Sequence, residues 1–143
     1  MDYNNQDIII ARATPVGSSA IAVIRLSGAN LIAFIKPSIN IKNIFPNKTY
    51  VVNIKKYSNR QTIDKCVLVY YKSPKSYTGE DVIEISCHGG EGIVSAILTN
   101  FIDRGARLAL PGEFSYRAVQ NKKLDILQAE AIAEKINKKS LAY

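Results

Sequence analysis

The sequence is poor in the residues that build metal centres and disulfide frameworks. Its 143 residues include two cysteines, one histidine and no tryptophan. Two thiols cannot form a framework of disulfides, and a single histidine adds too few ligands for a zinc site. Because Cys66 and Cys87 both fall in strand-like runs, we expect them to be buried thiols and expect no metal site.

Three longer patterns are also missing. No Gly-x-x-x-x-Gly-Lys-Ser/Thr spacing occurs, which excludes a phosphate loop for GTP or ATP within these residues. No apolar run approaches the length needed to cross a membrane, and the polar start from Met1 to Asp7 lacks a secretory signal pattern. We therefore expect a cytoplasmic protein without membrane contact.

Positive charge, in contrast, is abundant and unevenly placed. Nineteen Lys and Arg residues against twelve Asp and Glu residues give a net charge of +7, which favours anionic partners. Between residues 36 and 75, nine basic residues accompany a single acid, Asp64; the nine are Lys36, Lys42, Lys48, Lys55, Lys56, Arg60, Lys65, Lys72 and Lys75. They either solubilise exposed strands and block edge pairing, which we favour, or bind nucleic acid.

Hydrophobic periodicity predicts a mixture of strands and helices. Strands are expected over residues 7–13, 20–26, 48–57, 66–71, 81–87 and 106–109, with Ser27 and Gly28 ending the second. Helices are expected over residues 29–36, 91–104 and 113–120. This intermixed order, with a hairpin turn at residues 58–60, predicts the α+β class, with helices packed on a mixed sheet.

The last predicted helix, Leu124 to Ile136, carries apolar residues on two stripes and has no broad polar face. Such a helix requires cover on two sides. The chain then stops at Tyr143 without a capping glycine or proline, which predicts that the sequence is the front portion of a longer protein.

Several loop motifs are not required by helix or strand formation. They are ATPVG near the start, IRLSG, YTGEDVIEISCHGG, LPGEFSYRA and NKKLDILQAEAIAE. Together they closely resemble the amino-terminal domain of the bacterial tRNA-modification GTPases of the MnmE/TrmE family, over nearly the whole chain. Residues 38–61 carry no signature. Two positions depart mildly from the family pattern, with Cys87 where glycine is usual and Lys122 where aspartate is frequent.

The resemblance implies a fold similar to the folate-binding domain of the glycine-cleavage aminomethyltransferases. It implies residues 1–121 as a domain that binds 5-formyltetrahydrofolate and forms a homodimer, and residues 122–143 as the start of a helical domain. Family members act with a flavin-dependent partner protein on the wobble uridine of tRNA. Their GTPase domain, which uses GTP, Mg²⁺ and K⁺, lies downstream, so this chain alone is not expected to catalyse.

By the same resemblance, the folate-contacting residues are Arg25, Glu84 and Lys123. Elementary chemistry agrees with that choice, because a carboxylate such as Glu84 can accept both hydrogen bonds from the amine and ring N–H of a pterin. Either cation could hold the anionic glutamyl tail, Arg25 as a fork or Lys123 as a point charge.

Strand alternation places His88 on the same face as Glu84, about 13 Å away, which excludes direct pairing. We expect its imidazole to bond the Gly89–Gly90 turn, and the alternative is that it lines the folate cavity. Two other functions stay open at this stage. One is a nucleic-acid-binding module that uses the basic segment, and the other is a one-carbon transferase with His88 or Glu80 as general base.

Overall fold

One six-stranded sheet forms the centre of the protein. The computed structural model describes residues 6–17, 19–125 and 127–132. The strands are β1 (Ile9–Arg12), β2 (Ile21–Gly28), β3 (Thr49–Lys55), β4 (Thr62–Tyr71), β5 (Asp81–His88) and β6 (Arg107–Leu108). They lie in the order β3-β4-β5-β2-β1-β6, and all neighbours are antiparallel except β1 and β6. The predicted mixed sheet is therefore confirmed.

Helices fill the connections between strands. They are α1 (Leu31–Ile35), followed by a 3₁₀ turn (Lys36–Ser38), α2 (Glu91–Asp103) and α3 (Glu113–Gln120). Residues 127–132 are also helical. No helix in the described ranges is long and apolar enough to cross a membrane. Helices packed on a mixed sheet confirm the predicted α+β class.

The main core lies between one face of the sheet and helices α1 and α2. Strand β5 displays the predicted alternation, with Ile83, Ile85 and Cys87 buried on this face. Helix α2 packs Ile97 and Phe101 against them, because apolar residues repeat at helical spacing along one side of the helix.

Helix α3 covers only part of the opposite sheet face. Its Phe114 packs on Ile9 and Ala11 of β1. Farther across the sheet, Val51 of β3 pairs with Val67 of β4, and their side chains are 60% and 40% exposed. We call the uncovered part of this face, formed by β3, β4, β5 and β2, the open face.

Three details differ from the sequence prediction. Strand β2 continues through Gly28 instead of ending before it, because Ser27 and Gly28 pair with Val82 and Asp81 of β5, and the buried Ser27 hydroxyl is also bonded to Thr78. Strand β4 begins at Thr62, four residues earlier than expected. In the last predicted helix, residues 124 and 125 are non-helical, residues 127–132 are helical with Leu127 exposed, and residues 133–136 lie outside the described part. The division at residue 121 stays a prediction.

Candidate functional site

Strands β2 and β5 bring two of the three predicted site residues into direct contact. Arg25 and Glu84 are cross-strand partners in the antiparallel ladder, so their side chains leave the sheet side by side on the open face. Nε and Nη2 of Arg25 donate to Oε2 of Glu84 over 3.0 and 2.8 Å. The two side chains are 22% and 26% exposed, so the pair is reachable from solvent.

The pair retains hydrogen-bonding capacity. Oε1 of Glu84 accepts no hydrogen bond from any residue that the structure describes. Nη1 of Arg25 donates no hydrogen bond to any of these residues. The guanidinium carbon of Arg25 lies 5.6 Å from the centre of the Phe114 ring. This ring belongs to α3 and packs against the guanidinium. A carboxylate oxygen and a guanidinium N–H therefore stand together beside an aromatic ring.

Lys123 belongs to a different element. It follows the end of α3, where its backbone N–H donates to the carbonyl of Ala118 over 2.7 Å. Its side chain is exposed and lies beside Gly79, and there Asn121 donates to the carbonyl of Thr78. Within the described ranges, the Lys123 ammonium forms no ion pair or hydrogen bond. The structure thus joins Arg25 to Glu84 but gives Lys123 no contact with either.

A cluster of charged residues, which the sequence analysis missed, anchors the loop before β5 to α3. Glu113 is fully buried and accepts hydrogen bonds from Nη1 and Nη2 of Arg107 over 3.0 and 2.7 Å. Arg117, 1% exposed, donates to Glu80 over 2.9 Å and lies 3.6 Å from Glu113. We call Glu80, Arg107, Glu113 and Arg117 the paired cluster. The i,i+4 spacing of Glu113 and Arg117 on a helix is the sequence signal for it.

The Glu113 carboxyl is ionised more readily than usual. Burial alone would raise its pKa, but the hydrogen bonds from Arg107 and from the backbone N–H of Leu110 outweigh burial and lower the pKa. The pKa of Arg107 is raised in turn, chiefly by its hydrogen bonds to Glu113. Glu113 and Arg107 therefore remain charged at neutral pH, and their ion pair acts as a structural clamp within the paired cluster.

His88 does not take the predicted partner. Its Nδ1 lies 2.8 Å from Oδ1 of Asp64, and its backbone N–H donates to Oδ2 over 2.9 Å. The Gly89–Gly90 turn is held by backbone bonds to Ala20 and Ser19 instead. Burial acts to raise the pKa of Asp64, but the bonds from His88 prevail and lower it. The prediction of an imidazole bond to the turn is therefore wrong.

Both cysteines are buried, as expected. Burial raises the pKa of the Cys66 thiol, with smaller contributions from Asp64 and Cys87, and burial likewise raises the pKa of Cys87. Neither thiol is therefore activated as a nucleophile.

A cavity of about 580 Å³ opens between α1 and the loop before β5. Its walls include Asn30, Tyr70, Lys72 and Asp81, and none of the three predicted site residues lines it. The Arg25–Glu84 pair thus stands on the open face of the sheet and not in this cavity.

Comparison with known proteins defines the family. Residues 8–123 match the family described as the GTP-binding protein TrmE N-terminus. The chain belongs to the TrmE N-terminal family. The matched residues include Arg25, Glu84 and Lys123, and they span every strand and helix from β1 to α3. The sequence resemblance is therefore confirmed at the level of the family.

Similar relatives of this TrmE N-terminal chain carry the name tRNA modification GTPase MnmE. A protein from a Nitratiruptor species is 42% identical over 141 residues, which are 98% of the chain and 31% of the relative. Proteins from Thermotoga maritima and Aquifex aeolicus are 44% and 43% identical over 135 and 132 residues, covering 94% and 92% of the chain and 30% of each relative. The chain spans about a third of the length of these curated relatives.

Proposed function

We propose that this chain is the folate-binding and dimerisation domain of a cytoplasmic tRNA-modification GTPase. In that proposal it binds 5-formyltetrahydrofolate, and the whole protein acts in carboxymethylaminomethyl modification of the wobble uridine of tRNA. The observation that carries the folate assignment is the Arg25–Glu84 pair, whose free Oε1 and Nη1 lie on the open face beside Phe114. Family membership supplies the tRNA and GTPase context.

The chemistry of the pair fits the reduced pterin. The pyrimidine edge of a pterin offers an amine and a ring N–H as donors, with a carbonyl oxygen as acceptor next to them. Glu84 can accept from the donors while Arg25 donates to the carbonyl, so the pair offers this edge a complementary acceptor and donor. The ring of Phe114 is itself buried, so it packs against the Arg25 guanidinium and helps to hold it in place for the pterin.

Lys123 is then the residue assigned to the glutamyl tail. Because Arg25 is already held against Glu84, its guanidinium is committed to the pterin end of the site. Lys123 has an exposed ammonium with no ion-pair partner among the described residues, as a residue that captures a carboxylate from solvent requires. The tail would extend from the pair toward the end of α3.

The two alternative bases for a one-carbon transferase are each held by one side only. Both hydrogen bonds to the Glu80 carboxylate, from Arg117 and Ser27, end on Oε1, and His88 contacts Asp64 through Nδ1. Oε2 of Glu80 and Nε2 of His88 have no hydrogen-bond partner among the described residues. Turnover therefore separates the two functions: one-carbon transfer by the isolated chain would favour the transferase, and binding without transfer would favour the proposed domain.

Calorimetric titration of the chain with 5-formyltetrahydrofolate tests the assignment. We expect binding in the wild type and a loss of at least about tenfold in affinity for Glu84→Gln, which removes the charge but keeps the shape. Asp103→Asn, at the end of α2 across the sheet, is the matched control and should bind as the wild type does. Undiminished binding by Glu84→Gln would contradict the site.

A second ligand separates the roles of the two cations. 5-Formyltetrahydropteroate has the same pterin but no glutamyl tail. Lys123→Gln should lower the affinity for 5-formyltetrahydrofolate by several-fold and leave the affinity for the pteroate unchanged. Arg25→Gln should lower the affinity for both ligands. Equal losses for both ligands in Lys123→Gln would refute its assignment to the tail.

The open face supports the dimer. Val51 and Val67 are exposed on it, and the ladder places Val67 opposite Ser86, next to the Arg25–Glu84 row. An apolar sheet surface left uncovered in a monomer is a usual sign of an interface. A second copy seated there would bury these valines and enclose the folate pair from outside.

Light scattering tests the dimer with two exposed valines. Val67→Glu places a charge on the open face and should shift the chain from dimer to monomer. Val16→Glu changes a still more exposed valine in the turn between β1 and β2 and should leave the dimer intact. A wild-type chain that stays monomeric at high concentration would overturn this part of the proposal.

The activity of the whole protein is proposed from the family alone. GTP hydrolysis with Mg²⁺ and K⁺, and the association with a flavin-dependent partner protein, would require residues outside this chain. Measurement of K⁺-stimulated GTP hydrolysis by the full-length protein tests that assignment. A full-length protein without GTP hydrolysis would contradict it.

A further inference from the structure

The basic residues between positions 36 and 75 remain without counter-ions after folding. Among the described residues, none of these nine forms an ion pair with a carboxylate. The opposite holds for Arg12, Arg25, Arg107 and Arg117, each of which pairs with an acid. Uncompensated positive charge is therefore concentrated at one end of the molecule, where it creates an attractive potential for polyanions.

These cations follow the outermost strand of the sheet. Lys48 immediately precedes β3 and Lys55 ends it, which separates them by about 23 Å at roughly 3.3 Å per residue. Lys65 lies on β4 opposite Asn53 of β3. Lys72 and Lys75 line the same small cavity as Asn47 and so join the Lys48 end. We call β3, together with Lys48, Lys65, Lys72 and Lys75, the basic edge.

The single acid of the segment does not neutralise the basic edge locally. The carboxylate of Asp64 is 10% exposed, and each of its oxygens lies within hydrogen-bond distance of a nitrogen of His88. Its charge is thus turned toward the end of β5 and away from the lysines of β3.

Two exposed aromatic rings stand at opposite ends of the basic edge. Phe45 is 59% exposed, and Nζ of Lys48 lies 5.5 Å from its ring centre. Tyr57 is 56% exposed, and the guanidinium carbon of Arg104 lies 4.7 Å from its ring centre. A ring with a cation beside it is the arrangement on which unpaired nucleobases stack while the phosphate is neutralised.

Edge protection is a weaker explanation for these lysines than the sequence indicated. The amide oxygen of Asn40 accepts the outward backbone N–H of Asn53 over 2.9 Å, and the Tyr50 hydroxyl accepts the N–H of Phe45. The segment before β3 therefore already occupies part of the strand edge. Blocking of edge pairing also gives no reason for exposed aromatic rings, which favour association.

We propose that the basic edge binds a single-stranded segment of RNA, with its lysines on the phosphates and with Phe45 and Tyr57 stacked on unpaired bases. The choice of RNA over DNA rests on the proposed function in tRNA modification. A duplex offers no free base faces to these rings, and the two aromatics are too far apart to form one continuous apolar patch for a membrane.

Fluorescence anisotropy with a labelled ten-nucleotide oligouridylate tests the proposal. We expect binding that weakens with KCl and is at least about tenfold tighter than binding to a duplex RNA of equal length. Lys48→Gln should weaken binding about threefold and reduce the salt slope by about 0.7, the contribution of one phosphate contact on a single strand. Lys122→Gln removes a cation outside the basic edge and should change neither quantity.

The aromatic variants distinguish stacking from general electrostatics. Phe45→Ala should weaken binding about tenfold without changing the salt slope, and Phe45→Tyr should restore it. Equal affinity for duplex and single strand, or an unaffected Phe45→Ala, would overturn the proposal. Binding to phosphatidylglycerol vesicles with no binding to the oligouridylate would also overturn it, in favour of a membrane.

The RNA proposal and the folate proposal can each be refuted independently of the other. The same Lys48→Gln and Phe45→Ala proteins should bind 5-formyltetrahydrofolate as the wild type does, because both residues precede β3, which β4 separates from the β5 and β2 strands of the Arg25–Glu84 pair. Absence of RNA binding by the wild type with intact folate binding refutes only the basic edge. Absence of folate binding with intact RNA binding refutes only the folate assignment.

Discussion

The two ends of the sheet treat charge in opposite ways. At the β6 end, Glu113 and Arg117 are almost completely removed from water, and each has an oppositely charged partner. At the β3 end, the lysines are mostly exposed, and within the described part of the chain none has a carboxylate partner. Both ends are polar, but only one of them has its charges satisfied by the fold.

The contrast separates structural charges from charges that are available to partners. A buried charge without a partner would cost several kcal/mol, so the paired cluster must be complete in the folded chain. An exposed charge costs little and contributes little to stability. The Arg25–Glu84 pair lies between these extremes, since it is internally paired yet still has a free oxygen on the open face.

Replacement of Glu113 by alanine should have the largest effect on stability. The change removes the buried acceptor of two hydrogen bonds from Arg107 and of one from the backbone N–H of Leu110, and it takes away one of the two carboxylates beside the buried Arg117. We expect a loss of about 3–5 kcal/mol in the free energy of unfolding, measured by urea denaturation. Asp103→Ala, an exposed acid on α2, should lose less than about 0.5 kcal/mol. Similar small losses for both variants would erase the distinction between the two ends.

Acid should act on the paired cluster through the same carboxylate. The pKa of Glu113 lies below its ordinary value near 4.5 in the folded chain. Its contribution to stability is therefore fully present above the unfolded-state pKa and is lost as pH falls through the lower folded-state pKa. The urea midpoint should thus fall as pH falls below about 4.5. Glu113→Gln should flatten this fall, and a profile parallel to the wild type would contradict the assignment.

Gly79 tests the contact between the loop before β5 and the end of α3. Its φ of +81° is unfavourable for other residues, and an added Cβ would lie 2.7 Å from Cβ of Asn121. Gly79→Ala should lower the free energy of unfolding by about 1–3 kcal/mol. Gly92→Ala, in α2, meets no atom within 4 Å and should be neutral or stabilising by up to about 1 kcal/mol. Equal effects at the two glycines would argue against a tight contact.

The smallest effect is expected at the basic edge. The triple change Lys48→Gln, Lys65→Gln and Lys72→Gln removes three exposed cations that have no ion-pair partner in the described residues. We expect the free energy of unfolding to change by less than about 0.5 kcal/mol, or to rise slightly as repulsion decreases. A loss above about 1 kcal/mol would mean that these lysines serve the fold.

Much of the fold was predictable from local patterns. The alternation in Asp81–His88 and the helical repeat in Glu91–Asp103 follow from the periodicity of the apolar side chains, and both elements lie within a residue of their predicted bounds. The end of β2 was not predictable in this way, because Ser27 and Gly28 are ordinary strand breakers. Pairing with Val82 and Asp81 of β5, together with the bond from Ser27 to Thr78, 51 residues away, keeps them in the sheet.

The candidate site was predictable as a set of residues but not as an arrangement. Arg25, Glu84 and Lys123 came from motif resemblance, and their contribution to folate binding stays a prediction. That Arg25 and Glu84 contact one another depends on the register between β2 and β5, which the sequence does not display. His88 illustrates the same limit, because its partner Asp64 lies on a strand 24 residues earlier in the chain.

The amino-acid sequence by itself determined the α+β class, the family, the buried thiols and the concentration of positive charge between residues 36 and 75. These properties depend on composition, periodicity and motif order, which are local. Tertiary structure alone decided which charges are neutralised, because ion pairing depends on strand register and helix placement over long separations. It therefore distinguished the arginines that hold the fold together from the lysines that remain available to a partner.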